Sequence, residues 1–428
     1  MLLLIVAGSS SAPQCAPSSF RHGTDCYGDD LTSAPSPDAA DCCAKCSADA
    51  ACKHWTHDMY SGSGAKVPTC FLKSACTKPQ GNANAVSGTA PSPSPAPAPG
   101  GGYRRVASME GSTFFDGFEF FTGSDPTHGF VEFVDETTAR AAGMIDDSGG
   151  GPVLMAADRN TTAGAGGRRS VRLQSKTKFT TGLFVVDLAH VPTGCGTWPA
   201  FWTCGPSWPT GGEIDIFEVV HESTTDMTTL HTDAGCSQSA VDPSLFTGKR
   251  ITSNCDVNAA GQGRNQGCGI QNPGQPSAGS KMNGVGGGTI ATLWDATGIK
   301  SWFFPRGSVV PADIAARTIS RPGEAAWGKP YAAFGFGKDT CPATHFHDHQ
   351  IIFDLTFCGD WAGAVFAGEC AAKAGTGDCS AFVKNNPAAM QEAYWRVGYV
   401  DVYQDSAGIS SSSSADFTFH GTKERLVR

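Results

Sequence analysis

The chain has 428 residues, room for two or three domains, and combines 53 Gly and 26 Pro with only 17% charged residues, a balance that excludes a long helical bundle and favours a β-rich extracellular fold. Its net charge of −9 comes without a run of Lys or Arg able to release counterions from phosphates, so nucleic acid is excluded as a partner. Neutral polysaccharide stays open, because sugars are gripped by stacking and hydrogen bonds, and nine Trp and seven Tyr supply the faces.

Residues 1–14 read as the remnant of a signal peptide, with the apolar run Met1 to Ala7 but no basic segment before it. Seventeen cysteines, mostly without metal-site spacing, point to an oxidising compartment and hence to a secreted protein of the extracellular space or cell wall. No other stretch approaches the roughly 18 apolar residues of a membrane span, so no membrane partner is expected.

Residues 15–88 form a small module with eight cysteines at 15, 26, 42, 43, 46, 52, 70 and 76. Ala39, Cys42, Cys43 and Cys46 recur at helical spacing, which predicts one short helix presenting its sulfurs to the module's core. Zinc is the rival reading of Cys43 and Cys46, but a secreted module this small gains most from disulfides. The order GTDCYGDDL, CCAKCSADAACKHWTHD, CFLKSACTKP and a closing Ala85-Val86-Ser87-Gly88 resembles the PAN/apple family. That resemblance implies a carbohydrate- or protein-binding module, here one that tethers the chain to a cell-wall glycan. Trp55, His57 and Tyr60 read either as a sugar platform or as a core Trp with surface neighbours.

Residues 89–102, centred on APSPSPAPAPGGG, form a linker in which alternating Pro favours extended geometry and Gly adds a flexible end. The large module spans residues 103–405, and residues 406–428, with the Ser410 to Ser414 run, are expected to be disordered. Strand-like runs cover 170–174, 183–188, 213–220, 299–304, 350–357 and 394–403. Many short strands without βαβ alternation predict an all-β fold, an antiparallel sandwich of two sheets.

One segment of that module, Glu213-Ile214-Asp215-Ile216-Phe217-Glu218, carries chemistry. In a regular strand Glu213 and Asp215 share a face and Glu218 points to the other. A one-residue β-bulge near Ile216 or Phe217 restores all three to one wet face. Crowded carboxylates cannot all ionise cheaply, so a base and an acid coexist at one pH, as retaining cleavage of a glycosidic bond requires. In isolation the pattern reads as a solvated acidic edge strand. The surrounding GCGTWPAFW and Trp208-Pro209-Thr210-Gly211-Gly212 place three Trp nearby and favour a sugar groove.

Here the chain resembles glycoside hydrolase family 16, in its fungal-type laminarinase or endo-1,3(4)-β-glucanase branch, over nearly all of 114–404. The resemblance rests on DPTHGFVEFV, RRSVRL, GCGTWPAFW, GGEIDIFE, TTLHTDAGC, IKSWFFPR, LTFCGDWAG and YWRVGYVDVYQ. It implies a concanavalin-like β-sandwich jelly roll that needs no cofactor or metal and acts on β-glucan as a monomer. It assigns Glu213 as nucleophile, Glu218 as general acid/base and Asp215 as the carboxylate tuning both. It further implies stacking of glucose on Trp202, Trp208 and Trp361 and hydrogen bonds from His231 and Arg172. Two departures bear on cleft shape and subsite preference: Val219-Val220-His221 stands where the family has Gly-Val-Asn, and Leu293 where it often has Glu. Of nine cysteines in the large module one must be left over, and Cys204, absent from the family pattern, is expected to be the free thiol.

Two weaker signals remain. His345, His347 and His349 alternate, so on a strand they would share a face fit for a metal, whereas His345 also fits the family pattern and the other two fit a loop. Asn160-Thr161-Thr162 is a lone glycosylation sequon. The expected activity is endo-hydrolysis of β-1,3- or mixed β-1,3/1,4-glucan. The alternatives are a glucan-binding lectin, against which the intact Glu213 and Glu218 count, and a glucan transglycosylase.

Overall fold

The computed structural model describes residues 20–49, 51–59, 68–89, 102–272, 274, 276–323 and 325–406. The signal-peptide remnant, most of the linker, the Ser-rich tail, Cys15 and Tyr60 lie outside them. The chain divides into two compact units, Met1–Gly100 and Gly101–Arg428.

In the small unit, strands β1 (Arg21–Cys26), β2 (Asp30–Pro35), β3 (His54–Asp58), β4 (Thr69–Lys73) and β5 (Pro79–Thr89) form one sheet in the order β1-β5-β3-β4-β2. Helix α1 (Ala39–Ala48) starts where the Asp38 carboxylate accepts the Asp41 N–H. Its Cys42, Cys43 and Cys46 are buried, as their spacing predicts. Disulfide Cys42–Cys70 staples the helix to β4, Cys46–Cys52 ties it to the segment before β3, Cys26–Cys76 ties the end of β1 to the segment before β5, and Cys43 is disulfide-bonded too. Trp55 is fully buried among these sulfurs, and His57 is buried with Nε2 3.0 Å from the Ser36 carbonyl. Neither belongs to a sugar platform: a domain this small spends its one tryptophan on its core.

The large unit is a sandwich of two eight-stranded sheets. The first comprises β6 (Tyr103–Glu110), β9 (Ile145–Asp146), β10 (Val153–Ala156), β13 (Gly182–His190), β19 (Gly288–Asp295), β20 (Gly298–Pro305), β21 (Ala332–Gly335) and β23 (Tyr394–Asp405). The second runs, in spatial order, β17 (Lys249–Arg250), β18 (Cys268–Gln271), β16 (Met227–His231), β15 (Glu213–Glu218), β14 (Thr197–Cys204), β22 (His349–Phe357), β12 (Arg172–Phe179) and β7 (Phe118–Phe120). A short parallel pair, β8 (Val131–Phe133) with β11 (Arg168–Ser170), lies outside both. Alternate residues of the two inner faces, among them Phe184, Val186, Trp294 and Trp395 from one and Phe201, Ile214, Phe217 and Phe353 from the other, make a single core. The other face of the second sheet is thereby left open, and the candidate functional residues stand there.

The first sheet also buries its outer face, where Leu183, Ala291, Leu293 and Trp302 pack against Ile314, Ile319 and Trp327. Leu293 belongs to that cluster and not to the open face, so its departure from the family pattern alters packing on the far side of the molecule. Disulfides Cys195–Cys370, Cys236–Cys341, Cys255–Cys268 and Cys358–Cys379 fix the loops. Among the described residues Cys204 is the free cysteine, as the family pattern implied.

Candidate active site

Strand β15 is antiparallel to β14 with Glu213 opposite Cys204, Asp215 opposite Trp202, Phe217 opposite Phe201 and Glu218 opposite Ala200. The register slips by one residue at Ile216, the bulge that the carboxylate spacing demands. Ile214, Ile216 and Phe217 all enter the core, while Glu213, Asp215 and Glu218 line up on the open face. The strand's start is fixed by Gly212. Its φ is +77°, and a Cβ there would stand 2.4 Å from the His345 carbonyl oxygen, so only glycine fits.

Neighbouring strands extend the carboxylates into rows. Across β12, β22, β14 and β15 the register aligns Arg172, Asp354, Ala200 and Glu218. The next row brings Gln174, Ile352, Trp202, Asp215 and Thr229 together, and a third brings Gln350, Cys204, Glu213 and His231. His231 Nε2 lies 3.1 Å from Asp215 Oδ2, a pair buried on both sides. Arg172 is buried with Nη1 3.5 Å from Asp354 Oδ2, its guanidinium over the rings of Phe121 (4.9 Å) and Trp202 (5.1 Å).

Two indoles address the outer carboxylates directly. Trp208 Nε1 donates to Glu213 Oε2, and Trp198 Nε1 donates to Glu218 Oε1 at 2.7 Å. Trp208 is 45% exposed, and Trp361 meets Trp198 edge to face at 5.8 Å. Aromatic faces therefore flank the carboxylate row at both ends. All eight residues singled out from the sequence gather on this face. The sequence reading counted Trp198 among the three nearby Trp without giving it a partner, and it missed Phe121 and Asp354. Asp354 was findable, because in β22 Gln350, Ile352, Asp354 and Thr356 alternate against Ile351, Phe353, Leu355 and Phe357.

Burial raises the proton affinity of the whole group, and mutual repulsion adds to it. Burial and then the Asp215 charge push Glu213 up and push Glu218 well above the carboxylate range, with His231 and the indole donors pulling both down. Asp215 is also raised, by burial and the charges of Asp354 and Asp226. Asp354 rises to about 7 through burial, opposed by Arg172. Glu213 and Glu218 keep a partly exposed edge, while Asp215 between them is buried. Burial and crowding therefore raise the proton affinity of all four carboxyls, which cannot all ionise cheaply together.

Glu213, Asp215 and His231 bring ligand-type atoms within 4.8 Å of one another, the one such group among the described residues. The His345-His347-His349 series forms none. His345 pairs with Asp233, His347 with Asp348, and buried His349 sits between Thr203 Oγ1 (2.8 Å) and the Gly211 carbonyl (2.9 Å). Val219 and Val220 are buried, Val220 beneath Trp198 and Trp361, and His221 Nδ1 accepts the Gly196 N–H, so this departure props the aromatic wall from behind.

Fold and site together define a carbohydrate-active β-sandwich with the carboxylate equipment of a glycoside hydrolase. Comparison with known proteins narrows the class. Residues 118–403 match the model of the XgeA-like catalytic GH16 domain, and residues 24–73 that of the PAN domain. A probable glycosidase of Schizosaccharomyces pombe is 44% identical over 71% of the chain and 69% of its own length. An endo-1,3(4)-β-glucanase of Arthroderma benhamiae is 40% identical over 71% of the chain and 65% of its own length. Among solved structures, laminarinase 16A from Phanerochaete chrysosporium, with β-glucans in its donor and acceptor sites, is 40% identical with a TM-score of 0.65. It covers 71% of the chain and 100% of its own. An elongating GH family 16 β-1,3-glucosyltransferase is 35% identical over the same shares with a TM-score of 0.63. The chain belongs to glycoside hydrolase family 16 and carries a PAN domain ahead of its catalytic domain.

Proposed function

We propose that the protein is a secreted, retaining endo-hydrolase of β-1,3- or mixed β-1,3/1,4-glucan. The observation that carries this reading is the bulge at Ile216, which sets Glu213, Asp215 and Glu218 side by side with an indole donor on each outer carboxylate. In the first step the Glu213 carboxylate attacks the anomeric carbon while Glu218 gives its proton to the departing glycosidic oxygen, leaving a glycosyl ester on Glu213. In the second, Glu218 takes a proton from water, whose oxygen displaces Glu213 with a second inversion. Asp215, held by His231, supplies the negative field that keeps the proton on Glu218 until transfer. Trp202, Trp208 and Trp361 stack on glucose units, and His231 and Arg172 hydrogen-bond near the cleavage point.

Relatives named endo-1,3(4)-β-glucanase support the substrate class, and the disulfides support secretion. The PAN domain would tether the enzyme to wall glycan. Glu213→Ser is expected to lower laminarin turnover by at least about 10³-fold. Turnover like that of the wild type would sink the mechanism, as would release of α-anomeric product at early times in proton NMR. Transglycosylation is the second reading, favoured by the similarity to the elongating glucosyltransferase. Products longer than the substrate on laminariheptaose would identify it, while binding without cleavage of laminarin, lichenan or galactan would identify a lectin.

A further inference from the structure

The bulge that turns Glu218 onto the open face leaves backbone groups that the sheet does not pair. Between β15 and β16 the register runs only from Glu213–His231 to Asp215–Thr229. Beyond it β16 runs on through Thr228 and Met227, but the paired register with β15 stops, and the Ile216 carbonyl and the Glu218 N–H meet side chains instead. Buried and unpaired, such groups are destabilising.

A buried polar cluster fills this gap. Asp226 is fully buried, and its Oδ1 accepts the N–H groups of Glu218 (3.1 Å) and Met227 (2.7 Å). Asp226 Oδ2 lies 3.1 Å from the hydroxyl of Tyr331, which is also 3.4 Å from the Ile216 carbonyl and 2.6 Å from Thr228 Oγ1. The Asp226 N–H is itself held by Ser277 Oγ at 2.8 Å. Tyr331 immediately precedes β21 of the opposite sheet, so the cluster ties the bulge across the sandwich. Asp226 is fully buried against Tyr331 of the core, and a carboxylate at that depth is costly unless hydrogen bonds hold it.

We propose that Asp226, through Tyr331, is a positioning residue for the general acid/base: it holds the backbone on both sides of the bulge and thereby aims Glu218 at the glycosidic oxygen. The proposal rests on Glu218 being that acid/base. The structure places the clamp on the backbone of Glu218, whereas Glu213 is anchored from Gly212, so loosening the clamp displaces the acid and spares the nucleophile.

The test compares Asp226→Ala, Asp226→Asn, Tyr331→Phe and Glu218→Ala in the full-length protein. Each is assayed on laminarin, which needs a protonated leaving group, and on 2,4-dinitrophenyl β-laminaribioside with azide, which needs neither acid nor base. Asp226→Ala is expected to lose about 10²-fold or more in kcat on laminarin with KM changed less than about threefold, and under about tenfold on the activated substrate. Glu218→Ala should show the same asymmetry. Asp226→Asn keeps the Oδ1 acceptor and should recover most of the laminarin rate. Tyr331→Phe, which keeps its ring in the core, should show a smaller loss of the same asymmetric kind and keeps the test decisive if Asp226→Ala fails to fold. Equal losses on both substrates, wild-type rates for Asp226→Ala, or an Asn variant no better than the Ala variant would overturn the clamp. Absence of the asymmetry in Glu218→Ala alone would instead overturn the acid/base reading beneath it.

Discussion

Glu218 shows how far a side chain departs from its solution chemistry when the fold crowds it. Burial and Asp215 raise its proton affinity well above that of an unfolded glutamate. The folded site therefore keeps a proton that the unfolded chain releases above about pH 4.5, and in that window rising pH favours unfolding. Replacing the group by a neutral isostere removes this cost. Glu218→Gln is expected to unfold at the wild-type temperature at pH 4 and on the order of a few °C above it at pH 7. Calorimetry at both pH values checks this, and a variant less stable than wild type at pH 7 would contradict it. The carboxylates were legible in the sequence because three acids fall in six residues and their spacing breaks strand parity. Asp226 and Tyr331 were not. A single Asp in Thr-Thr-Asp-Met has no local signature, and its meaning arises only when the register ends beside it.

At the scale of elements, backbone packing decides the geometry. The Pro209 to Gly212 turn delivers Glu213 by pressing glycine against the 345–349 segment, where the contact at Gly212 is a backbone oxygen and cannot swing aside. Gly212→Ala must strain both φ and that contact. We expect a loss of about 2 kcal/mol or more in urea unfolding and a fall in kcat as the strand shifts; an unchanged midpoint would count against this. Strand existence was readable from apolar alternation, while boundaries depended on partners. The run 170–174 divides at Val171 because Arg168–Ser170 pairs with β8 and Arg172–Phe179 with β22. The Glu213 to Val220 run stops at Glu218, past the bulge, where Val219 enters the main core and Val220 packs under the aromatic wall. Such changes of partner have no trace in local composition.

Over the large unit as a whole, disulfides hold the loops that carry the open face. Cys195–Cys370 closes 175 residues, and Cys358–Cys379 anchors the turn bearing Trp361. Removing the first pair as Cys195→Ala with Cys370→Ala is expected to cost about 2–5 kcal/mol of unfolding free energy, measured by denaturant titration, and stability equal to wild type would refute it. The remaining sulfur, Cys204, sits opposite Glu213 with its thiol pushed well up by burial and by the charges of Glu213 and Asp215. Exchange between thiol and disulfide begins with a thiolate. Burial, with the field of the crowded carboxylates, thus keeps the odd cysteine chemically silent. An unpaired sulfur beside four bridges cannot then shuffle them once the native sheet has closed.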